Sequence, residues 1–126
     1  MMPSRSRIAA VAVLSLRVGY GAGLLLAPGR LARRWLGPTA ADPPVQVALR
    51  GLGAREVAVH GLAIAAALRG APVRPLIGVS IAGDLSDIAA TAAGRRGLPG
   101  GSTPVTLAVA GGSALISAAV ALAVDR

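Results

Sequence analysis

Four apolar runs, separated by short stretches of Gly, Pro and Arg, make up most of this chain. The first covers about residues 8–27 and is closed by "APGRLARRWLGP". The second covers about 45–68, after "ADPP" and before "RGAPVRP". The third runs over about 75–93 and stops at "GRRGLPGG", and the fourth over about 104–124. Each run has about 19 to 24 residues, and roughly 20 helical residues at a rise of 1.5 Å cross a 30 Å hydrocarbon layer. Pro43, Pro44, Pro75 and Pro104 stand near the starts of runs, where a missing N–H costs a helix little. Gly70, Gly94 and Gly97 stand near the ends, as C-caps do. The pattern predicts an all-α chain forming one domain, residues 1–126: an integral membrane bundle of four transmembrane helices.

Composition supports this against two competing readings. Apolar residues make up 54% of the chain and charged ones 14%, against about 45–50% and 25% in soluble domains. The mean hydropathy is +0.68. Phe is absent, and there is one Tyr and one Trp. Large rings normally fill a soluble core, whereas Ala- and Gly-rich faces suit helices that approach closely in lipid. A soluble four-helix protein needs a polar face on each helix, and the fourth run offers only Thr and Ser. A cleaved signal peptide would explain the basic start and the small residues of "GYGAG", but Arg17 interrupts its apolar stretch midway. Without Cys there is no disulfide, catalytic thiol or thiolate metal site.

The charges divide by position. Outside the runs lie Arg5, Arg7, Arg30, Arg33, Arg34, Arg69, Arg74, Arg95, Arg96 and Arg126, with Asp42 and Asp125; these account for the net charge of +8. The basic surplus therefore belongs to loops that meet anionic headgroups. It is no nucleic-acid footprint, because aromatic stacking surfaces are missing. Inside the runs, Arg17, Arg50 and Arg55 balance Glu56, Asp84 and Asp87.

At about 100° per residue, each run carries one polar stripe. Ser80, Asp84, Asp87 and Thr91 share a face of the third helix, and Gly53, Glu56 and His60 a face of the second, with Arg50 nearby and Arg55 well around the cylinder. Arg17 lies with Gly21 and Tyr20 on the first; Thr106, Ser113 and Ser117 line the fourth. A charge at bilayer depth costs about 2.5–3.5 kcal/mol and so faces inward and pairs. The expected buried cluster is Arg17, Arg50, Arg55, Glu56, His60, Asp84 and Asp87. Its expected pairs are Arg50 with Asp87 and Arg55 with Asp84 across the short 69–74 link, and Glu56 with Arg17 or His60.

Such a cluster either fixes helix register or binds a small ligand, ion or headgroup. Carboxylates with one His can hold a metal, but the neighbouring arginines repel it, so no metal and no cofactor is expected. Ser80, His60 and an Asp match a hydrolytic triad by type only, with no nucleophile-elbow pattern around the serine; no catalytic residue is assigned. In "PGRLARRWLG", Arg30, Arg33, Arg34 and Trp35 are expected to form an interfacial turn with the indole at headgroup level.

The stretches "LRVGYGAGLLLAPGRLARRWLG", "RGLGAREVAVHGL" and "DLSDIAAT" resemble small uncharacterised four-helix membrane proteins of actinobacteria, a family of unknown function loosely similar to the DoxX-like families. The resemblance implies a four-helix membrane fold and no particular activity. Two functions follow from the residues: a non-enzymatic accessory protein acting through a membrane partner or a second copy of itself, or a small carrier or redox-linked component binding a ligand, ion, or lipid or quinone headgroup at the cluster. Four helices put both termini on one side of the bacterial cell membrane. Five arginines on each side nearly cancel the orientation signal, and cytoplasmic termini are the expectation.

Overall fold

The structure, a computed structural model, describes residues 4–124; Asp125 and Arg126 of the charge count lie outside the described residues. These residues form helices and no strand. Helix α1 is Arg5–Leu26, α2 is Pro28–Leu36, α3 is Pro43–Leu68, α4 is Arg74–Ala93 and α5 is Ser102–Val124. Four of them (α1, α3, α4 and α5) are long and apolar enough to cross a membrane. Their bounds fall within a few residues of the apolar runs.

Local chemistry explains most of the ends. Ser4 caps α1 by accepting the Arg7 amide at 3.3 Å. α1 stops because Pro28 follows Ala27, whose φ/ψ of −141°/59° is not helical. After α3 the chain reverses at Gly70, with φ +71°, while the Ala71 amide bonds to the Ala66 carbonyl at 2.9 Å. That left-handed residue is the C-cap glycine expected there. Gly94 differs: its φ is −91°, so it ends α4 without the left-handed turn. The interfacial turn expected at residues 28–37 is instead the amphipathic helix α2, followed by a 3₁₀ stretch at Gly37–Ala41.

The long helices run up and down in a ring, with α1 beside α3, α3 beside α4, α4 beside α5, and α5 beside α1. The broadest contact is antiparallel, between α1 and α3. It is tight enough to require glycine on both sides. A Cβ at Gly53 would lie 2.6 Å from the Gly21 carbonyl oxygen, and one at Gly21 would lie 2.8 Å from that of Gly53. Near the start of α1, Arg7 Nη1 donates to the Ala67 carbonyl at 3.1 Å, fixing the same register.

Two apolar layers close the ends of the bundle. Ala10, Leu14, Ala63, Ala67, Val73, Ile77 and Val124 form one, so Arg5 and Val124 belong to the same end. Leu24, Ala32, Ala40 and Leu49 form the other, beneath α2. Between them the interior is polar, with His60, Ser80 and Asp84 all buried. The outer surface is the reverse: Leu16, Leu26 and Leu115 are each at least 75% exposed.

Candidate functional site

Arg17, Glu56 and Asp84 lie close to the midpoints of α1, α3 and α4. The ring puts α1 and α4 across the bundle from one another, and Arg17 spans the gap. Its Nη1 donates to Asp84 Oδ2 at 2.9 Å and its Nη2 to Asp84 Oδ1 at 2.8 Å. This is the bidentate fork that guanidinium and carboxylate geometry favours. Glu56 Oε2 stands 3.6 Å from the same Nη2. The pair is largely enclosed, with side-chain exposures of 13% for Arg17 and 7% for Asp84.

His60 extends the network. Its Nδ1 faces two acceptors, the Glu56 carbonyl at 2.7 Å and Glu56 Oε2 at 3.3 Å, so the proton sits on Nδ1. Its Nε2 lies 2.8 Å from Ser80 Oγ and accepts the hydroxyl proton when the ring is neutral. One connected set, Arg17–Asp84 with Glu56–His60–Ser80, thereby ties α1, α3 and α4 together. Among the described residues, Arg17 Nε is buried without a hydrogen-bond partner.

The structure brings Arg17, Glu56, His60 and Asp84 together as expected, and Arg17 does meet Glu56. It does not bring Arg50 or Arg55 in. Both are exposed, and the pairs Arg50–Asp87 and Arg55–Asp84 do not form. The expected hairpin is real, as His60 meeting Ser80 shows. Arg50, however, turns toward the end of α1, where its Nε donates to the Leu25 carbonyl, Arg55 lies on an exposed face of α3, and Arg17 from α1 occupies the position beside Asp84. The centre consequently loses its charge balance: one arginine stands among Glu56, Asp84 and Asp87.

Asp87 is the residue left over. It is half-buried and makes no hydrogen bond or ion pair among the described residues. It lines two adjoining cavities, of about 220 Å³ and 260 Å³, which share Tyr20, Asp87, Val109 and Ala110. The deeper one reaches Arg17, Glu56 and Asp84; the outer one reaches Arg34 and Trp35 of α2. Together they make a cleft from the α2 end to the polar centre. One wall is the segment Leu107–Gly111 of α5, a π-helical turn. Such widened turns recur at functional sites, and here it places Val109 and Ala110 in both cavities. Only the run of small residues "AGG" before Ser113 hinted at it.

The α2 residues separate as well. Trp35 is half-buried, and its indole N–H donates to Thr91 Oγ1 at 2.8 Å, so it docks α2 onto α4. Arg34 faces the Asp87 cleft, whereas Arg30 and Arg33 face a separate cleft that also receives Arg50. Comparison with known protein families, characterised proteins and solved structures returns no match for this chain.

Proposed function

We propose that this chain is a multi-pass protein of the bacterial cell membrane that binds a small ligand in the α1–α5 cleft, with no chemical transformation of it. The membrane assignment rests on four apolar helices whose large side chains face outward while Arg17, Glu56 and Asp84 face inward, as lipid favours. The observation that carries the binding role is Asp87, an acidic group without a partner among the described residues, opening on a cavity whose deep end already holds more carboxylates than cations. A ligand bringing a positive charge or several hydrogen-bond donors satisfies that imbalance. Arg17–Asp84 serves as the rigid floor of the site. Asp87→Asn, purified gently beside the wild type and examined by native mass spectrometry, is expected to lose a co-purifying small molecule while melting normally. Identical bound species in both proteins sink the proposal.

A second reading, an accessory protein for another membrane protein, is favoured by Arg55. It is the thirteenth of the 26 residues of α3, about 18 Å from the helix start. From there even an arginine falls short of the interface, and its exposed neighbours Gly51, Ala54 and Ala58 permit close approach of another helix. A partner helix bearing a carboxylate at mid-depth fits that face. Alone in lipid, Arg55→Leu should stabilise the protein by about 2.5–3.5 kcal/mol; unchanged stability in the isolated protein argues that Arg55 is already solvated and needs no partner. As part of the same proposal, the termini are cytoplasmic and the chain stands beside the actinobacterial four-helix proteins that its quoted segments resemble.

A further inference from the structure

Arg50, which the sequence directs toward Asp87, has a different destination. Its Nε donates to the Leu25 carbonyl at 3.2 Å, one of the carbonyls that the end of α1 leaves without an intrahelical partner. That bond holds the guanidinium at the mouth of a cleft of about 610 Å³ between α2 and the first turns of α3, leaving both Nη groups available. Arg30 and Arg33, three residues apart on α2, line the same cleft, and Gln46 reaches it from α3. No acidic residue lines it. Arg30 and Arg33 make no hydrogen bond or ion pair among the described residues.

Three arginines from two helices line one cleft with no carboxylate among its described lining residues, a concentration of positive charge that favours an anion there. The geometry points to a phosphate group as that anion, so that this cleft is a phosphate site distinct from the Asp87 cleft. Guanidinium forks match the spacing of phosphate oxygens and bind them in bidentate fashion. The Gln46 amide adds a neutral donor, and its Nε2 lies close enough to Gly29 that a Cβ there would stand 3.3 Å away. A larger residue at position 29 narrows the floor of the cleft. The site lies at the α2 end of the bundle, level with the ends of the long helices, where a phospholipid presents its phosphate; a phosphate dissolved in water reaches it from the same direction.

The test uses the full-length protein in a zwitterionic detergent. Dioleoylphosphatidylglycerol and inorganic phosphate are titrated separately, bound lipid being counted by native mass spectrometry and phosphate followed by calorimetry. One phosphatidylglycerol is expected to bind, about tenfold or more weakly in Arg33→Gln/Arg50→Gln. Arg95→Gln/Arg96→Gln, which removes the same charge from the same end of the bundle, should bind as wild type does. Binding of the lipid without free phosphate identifies the headgroup as the source, and binding of free phosphate alone identifies a soluble one; either, if lost with Arg33 and Arg50, supports the site. Equal weakening by both double variants, or no weakening by Arg33→Gln/Arg50→Gln in a protein that melts normally, overturns it.

Discussion

At the residue scale the Arg17–Asp84 pair dominates. Both groups are enclosed, and Asp84 accepts two hydrogen bonds from one guanidinium. Removing one partner strands the other charge, at about 3–5 kcal/mol. Asp84→Ala is therefore expected to lower the unfolding free energy in detergent by that amount, and Arg17→Leu/Asp84→Leu to recover much of it, because the second change removes the stranded charge. An Asp84→Ala protein that unfolds like the wild type shows that water, and not Arg17, satisfies Asp84. The sequence carried this pair only in part. It marked Asp84 and Arg17 as buried charges, and it gave Asp84 to Arg55 because the two helices are joined by a short link. Proximity along the chain sets the level at which residues meet, but not which way each side chain points around its helix.

At the scale of elements, the α1–α3 crossing is packed backbone against backbone. Gly21 and Gly53 face each other's carbonyls with no room for a side chain. Gly53→Ala is expected to push the helices apart, costing roughly 1–3 kcal/mol, and through Glu56 to disturb Arg17. Gly51, two residues away, has open space where its Cβ would lie, so Gly51→Ala should gain up to about 1 kcal/mol from helix propensity. Thermal melts of the two variants check both signs, and a destabilised Gly51→Ala refutes the assignment of faces on α3. The sequence shows glycines at 51, 53 and 61 alike. Only the position of α1 tells which of them makes a contact.

At the scale of the whole molecule, the alternating direction of the four long helices puts the start of α1 and the end of α5 at one end, with α2 at the other. Single cysteines at Ser4, Thr39 and Gly100, all exposed, should react with an impermeant reagent in two classes. Ser4 belongs to one, and Thr39 and Gly100 to the other. Labelling of all three from one side rules out the proposed crossing of the membrane.

What the sequence determined by itself was everything that depends on distance along the chain. Run length set four long helices, proline and glycine set most of their ends, and one polar stripe per run marked an inward-facing polar cluster. Tertiary structure alone decided what depends on direction around each helix. It chose α1, across the bundle, as the partner of Asp84 on α4; it left Asp87 facing a cavity; and it turned Arg50 toward Arg30 and Arg33. The physical reason is that successive residues turn by about 100°, so each helix offers every azimuth within two turns. Which azimuth becomes the interior depends on where the other helices stand, and for α3 that was settled by the close approach of two glycines and the reach of one arginine.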